Sequence, residues 1–388
     1  MSVLDIRQWN YPTRVVFGAG AIGRLPDLCR SHGMKAPLFV TDSGLKKAPM
    51  LAAAVDAVRA AGLKPAVFAD VRGNPTESNV NAGIAAFKSG GHDGMIAFGG
   101  GSGLDAGKAI AFMAVQERPI WDFEDVGDNW KRGRTQGLAP TIAVPTTAGT
   151  GSEVGRASVI TNEATHEKKI IFHPAMMPAV ALCDPELTVG LPAHITAATG
   201  FDALAHCLEA YCAPGYHPMA DGIALNGLAL VAANLIEAVE NGKDLAARAN
   251  MMAAASMGAA AFQKGLGGIH AISHAVGAVY DTHHGLTNAV VLPYILRANR
   301  DAIGAKMLVV GRLLGLGEGG YGAVFDRLMD LRRTAGIPHT LAELACEESR
   351  AEEMGRRAVG DPTAGGNPVP LDAAGYAAIY VKACRGEL

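Results

Sequence analysis

The chain has 388 residues, 49% of them hydrophobic and 18% charged, with a formal net charge of −3, which is the composition of an ordinary soluble globular enzyme. That balance excludes a disordered segment, and no basic patch invites a nucleic acid or another polyanion. The length exceeds what one hydrophobic core commonly organises, so two domains of roughly 190 residues are expected.

The opening MSVLDIRQWN places Asp5 and Arg7 where a signal peptide would need an apolar core, and no later stretch approaches a spanning segment of roughly 18 apolar residues. A cytoplasmic location is therefore expected. Short apolar runs then alternate with helical stretches: VVFG at 15–18, PLFVTD at 37–42, AVFAD at 66–70, MIAFGGG at 95–101 and TIAVPTT at 141–147. Between them, the alanine-rich segments 50–61 and 80–89 have helical composition. This rhythm predicts a parallel sheet with crossover helices, each strand short enough to be buried on both faces. From about residue 190 the strand-like runs vanish. LTVGLP (187–192) is the expected seam, so the reading is a dinucleotide-binding α/β domain over 1–190 and an all-helical domain over 191–388. Segment 251–262, apolar almost all round, is expected to be central to that bundle. The six cysteines show no CxxC spacing and read as reduced, buried, small apolar residues.

Two glycine-rich loops compete for a dinucleotide. VVFGAGAIG (15–23) satisfies the G-x-G-x-x-G pattern after a strand, with Gly18, Gly20 and Gly23. Its rival, GGGSGLDAGKA (99–109), lets Gly99, Gly100 and Gly101 leave the fourth strand and Ser102 open a helix, so that backbone N–H groups can approach a pyrophosphate. PTTAGTGSE (145–153) adds hydroxyls suited to a ribose or phosphate, or to capping a helix. Asp42, ending the second strand, can accept hydrogen bonds from ribose hydroxyls and repel a 2′-phosphate, which favours NAD over NADP. A solvated turn in TDSG is the alternative.

Asp202 and His206 stand four apart on a helical stretch, as do His270 and His274, and His284 follows just before Gly285. One carboxylate with three imidazoles makes a reasonable set of ligands for Fe²⁺, Zn²⁺ or Mn²⁺. HAISH lacks the glutamate of HExxH, which argues against metal-assisted peptide hydrolysis.

With these residues in view, the chain resembles the iron-containing (group III) alcohol dehydrogenases nearly end to end. The similar elements are NPT (74–76), GGGSGLDAGK (99–108), PTTAGTGSE (145–153), CDPELT (183–188), ATGFDALAH (198–206), GIHAISHAVGA (268–278), HHGLTNAVVLP (283–293) and GGNP (365–368). The resemblance implies a dehydroquinate synthase-like architecture, a Rossmann-like α/β domain followed by a helical one. It implies metal ligation by Asp202, His206, His270 and His284, with His274 beside the nicotinamide as a catalytic residue and not a ligand. Cofactor contacts are implied for Gly99, Gly100, Gly101 and Ser102 at the pyrophosphate and Asp42 at the adenine ribose. They extend to Asn74, Asp105, Thr146, Thr147, Thr150 and Lys168. GAGAIG then becomes a structural turn, and the implied assembly is a homodimer or higher homo-oligomer.

Two positions depart from relatives. His283 reads as a pocket-edge or surface histidine. FQKGLG (262–267) puts Lys264 either near the substrate, where it would favour a hydroxy acid such as 4-hydroxybutyrate, or exposed at a helix end. The implied reaction is NAD-dependent, metal-assisted hydride transfer between a small primary alcohol or hydroxy acid and its aldehyde, His274 passing the proton. Other readings are a maleylacetate reductase, a glycerol-dehydrogenase-like oxidoreductase, a dehydroquinate-synthase-like lyase, and a metal cluster that only ties helices together.

Overall fold

The computed structural model describes residues 13–388; the charged start containing Asp5 and Arg7 lies outside them. The chain splits into two compact units after Gly190, except that Ala148–Thr150 belong with the second, helical unit. Within that unit Gly149 lies against Thr199: a Cβ at Gly149 would stand 2.8 Å from Thr199 Cβ.

The first unit is built from β1 (Arg14–Phe17), α1 (Leu25–Ser31), β2 (Pro37–Asp42), α2 (Pro49–Ala60), β3 (Ala66–Val71), α3 (Glu77–Ser89), β4 (Gly94–Gly99), α4 (Gly101–Met113), β5 (Thr141–Pro145), β6 (Ala157–Asn162), β7 (Glu167–Phe172) and β8 (Val180–Cys183). Six strands form one parallel sheet in the order β1-β8-β5-β4-β2-β3, while β6 and β7 pair antiparallel on their own. Side chains alternate between two buried faces. Phe39, Ile96, Phe98, Ile142, Val144, Val180 and Leu182 pack with α1 and α2, and Leu38, Val40 and Met95 pack with α3 and α4. A sheet covered on both faces suits all-parallel pairing. Glycines let α4 settle onto the sheet, since a Cβ at Gly107 would lie 2.6 Å from Ala97 Cβ and one at Gly103 2.9 Å from the Phe98 carbonyl oxygen. The five expected strands are present; β6, β7 and β8 are additional.

The helical unit comprises α5 (Ala193–Cys212), α6 (Pro218–Glu240), α7 (Leu245–Ala261), α8 (Gly268–Tyr280), α9 (His284–Leu313), α10 (Gly320–Thr334), α11 (Ala351–Val359) and α12 (Ala373–Arg385). Its centre is α5, every residue of which from Thr196 to Cys212 is buried, and not the expected 251–262 segment. That segment ends α7, which packs on α5 and α6 while Ala253, Ser256, Met257 and Ala260 stay partly open. The alanines that made it look central are small enough to sit at a bundle's margin. One helix also departs from the expectation that nothing resembles a membrane span: α6 is long and apolar enough by length and composition, with a mean hydropathy of 1.7. It lies along α5 and α7, to which it presents Ala224, Gly227, Leu228, Val231 and Leu235 at helical spacing.

The long helix α9 contains Pro293, whose missing N–H leaves the Ala289 carbonyl without its helical partner. Arg332 of α10 takes that place. Its Nε donates to Ala289 O at 2.8 Å, and the same buried guanidinium reaches Pro338 O at 2.6 Å and His339 O at 3.0 Å. Each charge-assisted bond of this kind is worth about 1.5–3 kcal/mol. Replacing Arg332 by Leu is therefore expected to lower the unfolding midpoint by several degrees, measured by thermal denaturation.

Candidate cofactor loop and metal centre

In the first unit the chain runs from β2 to β3 and then returns to the other side of β2 to lay down β4. This makes the gap between the carboxyl ends of β2 and β4 the sheet's switch point, where doubly wound sheets bind ligands. Asp42 ends one of these strands and Gly99 the other. Gly99 has φ +144°, and a Cβ there would stand 3.4 Å from Asp42 Oδ2 and 3.5 Å from Thr41 Oγ1, a buried hydroxyl without a hydrogen-bond partner among the described residues. Asp42 Oδ1 meanwhile accepts from the N–H groups of Gly44 at 2.9 Å and Leu45 at 3.2 Å, so the local turn and the place beside the glycine loop coexist. Among the described residues no side chain caps the N-terminus of α4. A glycine-lined helix start of this kind fits an anionic pyrophosphate.

The competing turn at 18–23 has its amides spoken for. The buried carboxylate of Asp184 accepts from Gly20 N at 3.2 Å and Ile22 N at 2.9 Å, and Gly18 N donates to Cys183 O. A phosphate would have to displace an internal anion.

The other loop residues divide. Ser102 donates to the Gly73 carbonyl, joining the loops after β4 and β3, and Thr146 N donates to Gly99 O at 2.9 Å. A Cβ at Gly100 would stand 3.2 Å from Thr147 Cγ2. Asn74 precedes α3, Lys168 lies in β7, and Thr150 falls in the helical unit. Asp105 faces inward. Its oxygens accept from Ser152 Oγ at 2.5 Å and Val159 N at 2.9 Å, with Lys108 Nζ at 3.3 Å, so it clamps α4 to β6 instead of presenting a free acceptor.

In the helical unit Asp202 and His206 share a face of α5, His270 rises from α8, and His284 opens α9. Asp202 Oδ1 lies 3.9 Å from His206 Nε2, 3.8 Å from His270 Nε2 and 3.5 Å from His284 Nε2. Ligand atoms of Asp202, His206 and His270 all fall within 4.8 Å of one another. Bonds of about 2.0–2.2 Å in a four-coordinate site need donors roughly 3.5 Å apart, so the set fits a divalent cation. Two close approaches permit it. A Cβ at Gly285 would stand 2.4 Å from Ala198 O and 3.1 Å from Asp202 Cβ, and one at Gly258 would stand 2.9 Å from His206 Cβ.

Hydrogen bonds set the rings. Glu209 accepts from His270 Nδ1 at 2.5 Å, and Asp361 accepts from His274 Nδ1 at 2.8 Å. Ser273 Oγ donates to His284 O at 3.2 Å and lies 3.1 Å from His284 Nδ1, which can donate back to it. The Nε2 atoms of His270 and His284 are thereby turned inward. They converge with Asp202 Oδ1 on the Asn288 amide nitrogen, at 3.3, 3.2 and 2.8 Å, while Asn288 Oδ1 is buried without a partner among the described residues. Three ligand atoms gathered on one amide nitrogen mark a space that suits a cation.

Burial opposes ionisation of Asp202, yet the imidazoles of His206, His284 and His270 hold its carboxyl well below the usual range. Burial pulls His206 down to about 4, outweighing Asp202. It pulls on His270 too, but the carboxylates of Glu209 and Asp202 win and raise that ring to about 9.

His274 stacks on His284 at a centroid distance of 5.2 Å. His283, read as pocket-edge or surface, is the N-cap of α9, its Nδ1 accepting from Leu286 N at 3.4 Å. Lys264 is not exposed at a helix end. Its side chain is 2% exposed, paired with Asp221 and donating to Tyr211 O at 3.0 Å, so an internal carboxylate already holds the cation. Phe262 packs on His206 at 5.2 Å. Sequence reasoning missed Glu209, Asn288 and Asp361. The first two stand seven residues after Asp202 and four after His284, spacings that return to the same helix face, whereas nothing local announces Asp361.

Residues 12–185 match the family described as iron-containing alcohol dehydrogenase, and residues 196–384 match the C-terminal part of the Fe-containing alcohol dehydrogenase family. The 4-hydroxybutyrate dehydrogenase of Cupriavidus necator is 39% identical over 376 residues, covering 94% of this chain and 97% of its own. Among solved structures, that of 1,3-propanediol oxidoreductase is 35% identical, with a TM-score of 0.92, over 97% of this chain and 100% of the other. Sulfoacetaldehyde reductase from Bifidobacterium kashiwanohense, solved with NAD⁺, is 29% identical with a TM-score of 0.88, over 98% and 99%. The chain belongs to the iron-containing alcohol dehydrogenase family and is an oxidoreductase.

Proposed function

We propose that this enzyme interconverts a small primary alcohol or hydroxy acid with its aldehyde, using NAD and a divalent ion, Fe²⁺ or Zn²⁺, and that it works in the cytoplasm as a homodimer or higher homo-oligomer. The observation that carries the reading is the convergence of Asp202 Oδ1 and the three imidazoles of His206, His270 and His284 within 3.5–3.9 Å of that oxygen. When bound, the ion supplies Lewis acidity to an alcohol or carbonyl oxygen, and NAD supplies the hydride acceptor.

The chain's own residues supply the rest. The uncapped start of α4, with Gly99, Gly100, Gly101 and Ser102, receives the pyrophosphate, and Asp42 receives the adenine ribose, with Thr146, Thr147, Thr150, Asn74 and Lys168 as further contacts. His274 moves the proton at Nε2, because Asp361 fixes the other ring nitrogen as the donor. Among small substrates, the 4-hydroxybutyrate dehydrogenase relative favours a hydroxy acid with a terminal hydroxyl, although Lys264 is committed to Asp221 and gives that preference no support.

A panel of C3–C6 alcohols and hydroxy acids, including 4-hydroxybutyrate, offered with NAD⁺ to Fe²⁺- and Zn²⁺-loaded protein is expected to reduce the cofactor with terminal alcohols. Absence of turnover across the panel would sink the assignment. His270→Ala and His284→Ala are expected to lose metal, by elemental analysis, together with activity. His274→Ala should keep the metal and lose turnover by about 10²–10⁴-fold. Asp42→Gly is expected to raise the ratio of kcat/KM for NADP to that for NAD by roughly tenfold or more, as a like-charge clash with the 2′-phosphate is removed. Gly285→Ala should weaken metal retention, because its Cβ would meet the Ala198 carbonyl oxygen at 2.4 Å and push His284 from Asp202.

A further inference from the structure

We propose that Glu209 is a positioning residue of the metal centre, fixing the ring of His270 and the nitrogen on which its proton sits. The inference rests on the metal reading above and assigns a role to a residue that is not itself a ligand.

Glu209 lies on the face of α5 that carries Asp202 and His206, and its side chain is 6% exposed. Each carboxylate oxygen takes one donor, and the donors come from consecutive residues. Oε1 accepts from Ile269 N at 2.7 Å, and Oε2 accepts from His270 Nδ1 at 2.5 Å. Gly267 makes the approach possible, since a Cβ there would stand 3.0 Å from Glu209 Oε1. The bond to Ile269 closes the first turn of α8, a task any good acceptor can perform. The bond to the ring does something different: an ionised carboxylate only accepts, so Nδ1 must carry a hydrogen, and Nε2, 3.8 Å from Asp202 Oδ1, is the nitrogen left to ligate a metal once it gives up any proton.

Glutamine separates the two tasks. It has the same length, but only one of its two terminal atoms accepts. With its oxygen on Ile269 N, its amino group faces Nδ1 and drives the ring proton to Nε2, the atom meant to ligate. With its oxygen on Nδ1, its amino group meets the Ile269 N–H. Glu209→Gln thus disturbs ligation more than packing.

The experiment strips metal from wild type, Glu209→Gln, His270→Ala and Asn367→Ala, then titrates Co²⁺ in competition with a chromophoric chelator while recording the visible absorption of bound Co²⁺ and the unfolding midpoint of the metal-free protein. Asn367→Ala is the control for helix capping, because Asn367 Oδ1 accepts from Gly268 N at 3.1 Å, at the same end of α8, without touching His270. We expect Glu209→Gln to bind Co²⁺ roughly 10–100-fold more weakly with an altered spectrum. Asn367→Ala should lower the midpoint and leave affinity near wild type, and His270→Ala should bind none. Wild-type affinity in Glu209→Gln beside loss in His270→Ala overturns the positioning role and leaves the metal assignment standing. Metal retained by His270→Ala overturns the metal assignment itself. Equal weakening in Asn367→Ala and Glu209→Gln means that Glu209 acts only through the helix end, which also overturns the proposal. Independently of any variant, histidine-selective ¹⁵N NMR of the Zn²⁺-loaded wild type should show His270 protonated at Nδ1; protonation at Nε2 or at neither nitrogen refutes it.

Discussion

A buried carboxylate faced by three imidazoles is the constraint around which the helical unit is organised. Asp202 sits near the middle of a helix closed to solvent along most of its length, and such a charge is costly unless paired. The surrounding helices each contribute something that relieves this cost: His270 from α8, His284 and Asn288 from α9, and room for His206 from Gly258 of α7. Where α8 begins is settled by the same network, since Glu209 and Asn367 take its first two N–H groups. Packing and chemistry here are one problem, solved by the same side chains.

In the α/β unit the decisive accounting concerns backbone amides. Two glycine-rich turns follow parallel strands, and by pattern alone either could cradle a phosphate. One has given its N–H groups to Asp184, an anion supplied from inside the protein. The other opens α4 without a side-chain cap, at the point where the sheet changes direction. A motif that names glycines cannot distinguish these cases, because the difference lies in a residue more than a hundred and sixty positions away.

What was legible in advance followed the same division between local and distant causes. Strands β1 to β5 stand out as apolar runs between turn residues, and the ligand histidines stand out by helical spacing. β8 is four residues long and hides inside PAVALCDPE, and β6 and β7 carry enough polar, partly exposed residues to blur their alternation. Asp361 and Asp221 are found only in three dimensions, being 87 and 43 residues from the His274 and Lys264 they serve. Lys264 shows the same: a lysine beside glycines looks free until the carboxylate that meets it is known.

The edge of the sheet carries an implication for how the protein is made. Among the described strands β1 emerges from the ribosome first, yet it pairs with β8, and its following turn is plugged by Asp184, 164 residues after Gly20. β1 must therefore wait for β8 while nearly the whole unit is synthesised, and that pairing forms as the closing act of the unit's assembly.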